Sequence, residues 1–218
     1  MKDKYILTAE SVTAGHPDKL CDTIADSILD ACLKDDPHAR VACEVLATAG
    51  KILVAGELRT TAQPDVEAIV RQTVRQAGYD CNYNVEVRLH TQSPDIAGAV
   101  DGETLGAGDQ GIMYGYACWE TVELLPAPVV LANRITSLLT TCREEKLISG
   151  IGPDGKAQVS VQYAFGVPER VDTIVISCQH DADKDPDELR EELRRLVIAR
   201  ACHDVRIDEQ TKILINPS

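Results

Sequence analysis

Apolar residues recur along this chain with either helical or strand spacing, and the two spacings predict alternating elements. One helix is indicated after Pro17 by apolar residues that recur every four positions: Leu20, Ile24, Ile28 and Cys32. A second helix is predicted after Pro64-Asp65, and Gly78 stands where that helix would end. Strands are predicted around the two helices at residues 5–8, 41–48, 52–58 and 84–90. The order is β-α-β-β-α-β, a recognised supersecondary unit.

The second half of the chain repeats this order of elements. The predicted elements are a strand at 112–118, a helix at 126–142, strands at 157–165 and 171–178, a helix from Pro186 and a strand at 211–215. We therefore predict an α+β fold of two β-α-β-β-α-β units, in domains 1–94 and 112–218. The joining segment, 95–111, is rich in glycine and poor in large apolar residues, so we expect a flexible loop there.

Composition narrows the functional classes. The 218 residues carry a net charge of −13 without a basic cluster, which argues against nucleic acid as a partner. The sequence has no apolar run of membrane-spanning length, and its start does not resemble a signal peptide, so we expect no membrane partner. The 8 cysteines are scattered and form no Cys-x-x-Cys pair. Buried free thiols in a cytoplasmic protein are expected, not disulfides or structural zinc.

The predicted first hairpin places two carboxylates on one face. If its strands turn about Ala49-Gly50, then Glu57 lies opposite Ala42 and Glu44 lies opposite Ala55. The two glutamates would then be diagonal neighbours, about 7–8 Å apart at the backbone. Because aliphatic residues surround them, a bound cation or ligand is favoured over the alternative of two solvated edge glutamates.

A second candidate site is the run Gly15-His16-Pro17-Asp18-Lys19, at the predicted beginning of the first helix. Unpaired backbone N–H groups and the helix dipole favour anions at such a position. An imidazole, a carboxylate and an ammonium group there suit a polyphosphate that carries a divalent ion. The alternative is a helix whose polar first turn is merely solvated, and these five residues alone favour that alternative.

The wider sequence resembles the S-adenosylmethionine synthetases (methionine adenosyltransferases). The motifs that carry the resemblance are Glu10-Ser11-Val12, Gly15-His16-Pro17-Asp18-Lys19, Arg40-Val41-Ala42-Cys43-Glu44, Gly56-Glu57, Gln92-Ser93-Pro94-Asp95-Ile96, Gly106-Ala107-Gly108-Asp109-Gln110-Gly111, Pro126-Ala127-Pro128, Pro153-Asp154-Gly155-Lys156 and Ile215-Asn216-Pro217. The resemblance covers the N-terminal and central units of a three-unit fold. It implies that segment 95–111 is a loop that gates the active site, whereas the composition of the segment alone fits a plain inter-domain linker equally well.

The resemblance also implies a reaction. ATP and L-methionine would give S-adenosylmethionine, with release of pyrophosphate and phosphate. His16 and Lys156 would be catalytic, and both would bind ATP or its phosphates together with Glu10 and Asp154. Read without the resemblance, Asp154-Gly155-Lys156 is predicted to be a hairpin turn.

Further ligands follow from the same resemblance. Methionine would contact Glu57, Gln92 and Asp109, although Gln92 and Asp109 also suit plain turns. The cofactors would be Mg²⁺, held by Asp18, and K⁺, held by Glu44.

The positive charges for such a site are few. The motif cations are Lys19, Lys156 and a protonated His16, in an acidic chain. Two basic family segments, Gly-Leu-Thr-Gly-Arg-Lys and Gly-Gly-Gly-Ala-Phe-Ser-Gly-Lys-Asp, do not occur in the sequence. We therefore expect a second, different polypeptide to supply phosphate-binding Lys and Arg residues and a second Mg²⁺ aspartate. The alternatives are a non-catalytic regulatory subunit and a fragment of a full-length homomeric synthetase.

Overall fold

The computed structural model describes residues 4–80, 82–91 and 111–217. The chain divides into two compact units: a larger unit, Met1–His16 with Tyr116–Ser218, and a smaller unit, Pro17–Gly115. Both contain a sheet and helices, so the α+β fold class is confirmed. Among the described ranges, no helix combines the length and the apolar character that crossing a membrane requires.

The elements follow the predicted order through most of the chain. They are β1 (Lys4–Val12), α1 (Pro17–Asp35), β2 (Arg40–Thr48), β3 (Lys51–Arg59), α2 (Val66–Ala77), β4 (Asn84–Thr91), α3 (Ala127–Glu144), β5 (Ile151–Ala164), β6 (Val167–His180), α4 (Pro186–Leu193), a π-helical segment (Arg194–Ile198), α5 (Ala199–Ala201) and β7 (Lys212–Ile215). The larger unit has the sheet β1-β5-β6-β7, and the smaller unit has the sheet β2-β3-β4.

In the smaller unit, two helices cover one face of the three-stranded sheet. The four apolar residues that predicted α1 are all buried: Leu20, Ile24, Ile28 and Cys32. They belong to one core cluster with Ile52 and Val54 of β3. The ends of α2 are as predicted, because the Asp65 side chain accepts from the Ala68 N–H and Gly78 takes the left-handed conformation.

The predicted hairpin register in this sheet is confirmed. Thr48 pairs with Lys51, so Ala49-Gly50 forms a two-residue loop, and Gly50 has φ of +72°. Glu57 lies opposite Ala42, and Glu44 lies opposite Ala55, as the sequence indicated. Strand β4 then adds in parallel to β3.

In the larger unit, the inner face of the sheet packs against α3 and α4. The buried core includes Leu131, Ile135 and Leu139 of α3, Val159, Val161 and Tyr163 of β5, Ile174 and Ile176 of β6, and Leu189 and Leu193 of α4. Helix α4 begins as predicted at Pro186, where the Asp185 side chain accepts from the N–H groups of Asp187 and Glu188. This core fixes the strand on which the candidate phosphate residues lie.

The first strand pairs differently from the simple two-copy plan. Strand β1 lies antiparallel to β5 in the sheet of the larger unit, not beside β2. The ring of Tyr5 stacks on Tyr163 at 5.1 Å between centroids, and Thr8 and Ser160 share a hydrogen bond of 2.8 Å. These contacts join two stretches that are far apart in sequence, so local periodicity carries no signal for them.

The predicted strand at 112–118 is wrong, because the structure has no strand there. The side chains of Ile112, Met113 and Tyr114 are 79%, 91% and 92% exposed. Since no face of this stretch is buried, its apolar alternation has nothing to pack against.

The predicted turn at Asp154-Gly155-Lys156 is also wrong, because these residues belong to β5. Lys156 is the register partner of Val12, and the Gly155 carbonyl accepts from the Thr13 N–H at 2.9 Å. Pairing with β1 thus keeps this segment extended, although its register with β6 is irregular between Ile151 and Gly155. The domain boundaries and the gating loop remain predictions, since residues 92–110 lie outside the described ranges.

The expectation of buried free thiols holds in part: the seven cysteines of the described residues are all free. Four of them are buried: Cys32, Cys142, Cys178 and Cys202. Burial raises the pKa of the Cys178 thiol to about 12 and that of Cys202 to about 11. These thiols therefore act as small apolar core residues at neutral pH.

Candidate active site

The candidate phosphate site of the larger unit begins with an ion pair between two neighbouring strands. Glu10 of β1 and Lys156 of β5 are diagonal neighbours, because Val12 pairs with Lys156 and Glu10 pairs with Gln158. The Lys156 Nζ lies 2.6 Å from Glu10 Oε2, and the two side chains are 42% and 48% exposed. Both charged groups therefore remain accessible to a ligand above the sheet.

The turn after β1 places His16 near Asp154 of β5, two residues before Lys156. The His16 N–H donates to the Thr13 carbonyl at 3.1 Å, which closes a tight turn at the end of the strand. Burial raises the pKa of the Asp154 carboxyl, and the nearby charge of His16 partly opposes this shift. The structure thus brings together four residues that the resemblance connects with ATP: Glu10, His16, Asp154 and Lys156.

Three residues that sequence reasoning left without a role hold this arrangement. Thr13 Oγ1 donates to the Pro153 carbonyl at 2.7 Å, and Gln179 Oε1 accepts from the Asp154 N–H at 3.1 Å. A side chain at Gly15 would collide with Pro153, because an added Cβ would lie 2.5 Å from its carbonyl carbon. Of these three residues, only Gly15 left a signal in the sequence, as a glycine directly before His16. Its importance becomes clear only when its close contact with Pro153 is known.

Asp18 and Lys19 lie in the first turn of α1, which begins at Pro17, the residue after His16. Both residues are exposed, and Asp18 is the acidic residue of that turn. A carboxylate there is favoured by the helix dipole and faces solvent, where it could meet a hydrated cation.

The smaller unit presents the second group of predicted ligands on the outer face of its sheet. Glu44 is exposed and Glu57 is partly exposed, and Leu46 on the same face is 63% exposed. The register places His90 of β4 beside Glu57. The prediction that both glutamates share one face is therefore correct, and His90, for which the sequence suggested no role, lies next to one of them.

The same face carries an ion-pair cluster that the sequence did not reveal. Glu86 pairs with Lys51 and with Arg88, whose Nε lies 2.8 Å from Glu86 Oε1. Hydrogen bonds from these two cations hold the pKa of Glu86 below its ordinary value. Two of the cations on this face are therefore already engaged with a carboxylate.

The exposed carboxylate of Asp18 is of the kind that binds magnesium. Within residues 4–80, 82–91 and 111–217, no three His, Cys, Asp or Glu side chains come close enough to hold a metal ion. Magnesium is commonly bound by one or two carboxylates together with substrate phosphates and water. A single exposed Asp18 fits that mode. Gln92 and Asp109 lie outside the described residues.

Comparison with known proteins identifies the family. Residues 4–103 match the family model of the S-adenosylmethionine synthetase N-terminal domain, and residues 104–218 match that of the central domain. A protein from Finegoldia magna named S-adenosylmethionine synthase is 44% identical over an aligned length of 232 residues, and the alignment covers 97% of this chain and 59% of the relative. A protein of the same name from Desulfosudis oleivorans is 45% identical over an aligned length of 227 residues, and that alignment covers 98% of this chain and 58% of the relative.

The matches extend across both units, including every motif on which the resemblance depends. The chain spans less than two thirds of the length of these two relatives. It belongs to the S-adenosylmethionine synthetase family and contains the N-terminal and central domains of that family.

Proposed function

We propose that this chain is one subunit of a heteromeric S-adenosylmethionine synthetase, which binds magnesium ATP and L-methionine and forms S-adenosylmethionine. The observation that carries the proposal is the cluster of Glu10, His16, Asp154 and Lys156 at one end of the larger unit. Two relatives at 44% and 45% identity bear the name of this activity, which supports the reaction class.

The reaction needs orientation and charge stabilisation more than proton transfer. The neutral thioether sulfur of methionine attacks C5′ of ATP, a sulfonium forms, and tripolyphosphate leaves and is then hydrolysed to pyrophosphate and phosphate. A thioether has no proton to lose, so no general base is required for the transfer. Catalysis then depends on holding the two reactants in line and on stabilising the leaving phosphate.

His16 and Lys156 take the leaving-group roles in this proposal. His16 would donate a hydrogen bond to the oxygen that departs from C5′, and Lys156 would bind the phosphate chain. Glu10 keeps the Lys156 ammonium in place through their ion pair. Asp154, whose carboxyl is partly withdrawn from water, lies near His16 and would help to orient the nucleotide.

The metal and methionine sites are assigned by family resemblance. Asp18 would hold Mg²⁺, which offsets phosphate charge when bound, and Glu44 would hold K⁺. Glu57, on the same face as Glu44, would contact methionine together with Gln92 and Asp109. A carboxylate near the sulfur would favour the sulfonium as its positive charge develops.

The partner follows from the charge balance of the proposed site. The tripolyphosphate leaving group carries several negative charges, whereas Glu10 already neutralises Lys156 in part. The attraction between one phosphate charge and one Lys or Arg cation 4 Å away in a partly dry cleft is on the order of 4 kcal/mol. We therefore assign the remaining Lys and Arg residues, and a second magnesium aspartate, to another polypeptide.

Two other functions fit the same family membership. A non-catalytic regulatory subunit would keep the fold without needing its phosphate residues, yet His16, Asp18 and Lys156 are all present. The chain is alternatively part of a longer synthetase, in which the missing cations come from the same polypeptide.

Nucleotide binding by the purified chain tests the proposal. Isothermal titration calorimetry with magnesium ATP should give saturable binding, and Lys156→Met and His16→Ala should each weaken it by about tenfold or more. The matched controls are Lys212→Met, an exposed strand lysine of the same sheet, and His203→Ala, an exposed histidine of the same unit. Equal losses in the control variants, or wild-type chain that binds no nucleotide, would contradict the proposal.

A further inference from the structure

One buried threonine joins the turn that carries His16 to the strand segment that carries Asp154 and Lys156. The Thr13 residue is only 6% exposed. Its hydroxyl donates to the Pro153 carbonyl at 2.7 Å and lies 3.2 Å from the Gly155 carbonyl. Its backbone N–H also donates to the Gly155 carbonyl at 2.9 Å. Thr13 therefore engages the carbonyl groups on both sides of Asp154.

Two further contacts hold the same part of β5, at Pro153 and Asp154. Gly15 approaches Pro153 so closely that a Cβ would meet its backbone at 2.5 Å. On the other side, Gln179 of β6 accepts from the Asp154 N–H at 3.1 Å. The Asp154 backbone is thus held between the turn after β1 and the neighbouring strand β6.

From this geometry we infer that Thr13 is a positioning residue, which fixes the His16 turn against the Asp154–Lys156 segment so that the three side chains keep one spacing. Its use in binding nucleotide rests on the proposed function. The inference itself concerns contacts within the larger unit only, and it assigns Thr13 no contact with substrate.

The Thr13 contacts matter because the pairing of β5 with β6 is irregular next to Asp154. The register of β5 with β6 shifts between Ile151 and Gly155, and its register with β1 ends at Lys156, so regular strand pairing does not fix residues 152–154. If the hydroxyl is lost, the Pro153 carbonyl loses a hydrogen bond and the segment can move relative to His16. Displacements of about 1 Å at a reacting centre cost as much as a hundredfold in rate, so a small movement would be measurable.

A purely structural role is the competing explanation, and Thr136 offers a matched control. Thr136 is also buried, at 5% exposure, and its hydroxyl shares a 2.9 Å hydrogen bond with Ser11 of β1. Thr136→Val removes a comparable hydroxyl from the same unit without touching the Pro153 carbonyl. Thr13→Val removes the hydroxyl under test, and Thr13→Ser retains it.

Amide hydrogen exchange and magnesium ATP binding are then measured on the full chain for the wild type and the three variants. In Thr13→Val, exchange at the amides of residues 13, 16 and 154 should speed up by about tenfold, and magnesium ATP should bind about tenfold more weakly. Thr13→Ser should restore both values to within about twofold of wild type, and Thr136→Val should leave both within about twofold.

Two results would show that Thr13 is not a positioning residue. Unchanged local exchange in Thr13→Val, or equal losses of nucleotide affinity in Thr13→Val and Thr136→Val, would overturn the inference. If the wild-type chain binds no magnesium ATP, the proposed function fails, and local exchange still decides whether Thr13 fixes this segment.

Discussion

Lys156 of β5 lies 2.6 Å from Glu10 of β1, and each side chain is about half exposed. The two residues are far apart in sequence and meet because β1 joins the sheet of the larger unit. An exposed ion pair of this kind contributes little to folding, so its position in the candidate site suggests a role in ligand binding.

Replacement of Lys156 should therefore separate stability from binding. Lys156→Met is expected to change the free energy of unfolding by less than about 1 kcal/mol, because the pair is screened by solvent. The affinity for magnesium ATP should fall by about tenfold or more, since a charge-assisted phosphate contact is lost. Urea denaturation and calorimetry measure the two quantities. A stability loss of several kcal/mol would show that the pair serves the fold.

The close approach of Gly15 to Pro153 predicts a second separable effect. Gly15→Ala places a Cβ about 2.5 Å from the Pro153 carbonyl carbon, so the two segments must move apart. We expect a loss of about 1–3 kcal/mol in the free energy of unfolding and weaker nucleotide binding. Ala14→Ser, at the exposed neighbouring position, should leave both nearly unchanged. Wild-type affinity in Gly15→Ala would mean that the spacing of these segments is unimportant.

A partly buried ion-pair cluster in the larger unit predicts acid sensitivity. Arg170 donates to Asp208 at 2.8 Å, and these hydrogen bonds lower the Asp208 pKa to about 2. Because the pKa of an aspartate in the unfolded chain is about 3.9, the stabilising contribution is present above that pH and is lost as the pH falls towards 2.

Urea denaturation of the wild type and Asp208→Asn should accordingly differ most at pH 7, and the difference should shrink between about pH 4 and pH 2. The exposed Asp183→Asn provides the control for loss of a single carboxylate. A difference that stays constant down to pH 2 would show that Asp208 is not stabilised through its ionised form.

The sequence predicted best those features that depend on local patterns. The buried stripe of α1, the caps of α2 and the hairpin about Ala49-Gly50 follow from residues close together in the chain. The shared face of Glu44 and Glu57 followed in turn from the hairpin register. Family resemblance, and not periodicity, pointed to the phosphate residues.

The features that were missed depend on pairing between distant segments. Strand β1 joins β5 across more than a hundred residues, and that pairing converts the predicted turn at Asp154-Gly155-Lys156 into a strand. The hydrogen bond from Thr13 to Pro153 has the same origin. Residues 112–118 have strand-like alternation but bury no face, which composition alone does not reveal.

The central claim is tested most directly by measuring S-adenosylmethionine formation by this chain alone and together with any polypeptide that copurifies with it from its native source. With ATP, L-methionine, Mg²⁺ and K⁺ present, the isolated chain should give no product above background. The complex should turn over, and the complex carrying His16→Ala should lose at least about a hundredfold in rate. Turnover by the isolated chain, or a His16→Ala complex within a few-fold of wild type, would contradict the account.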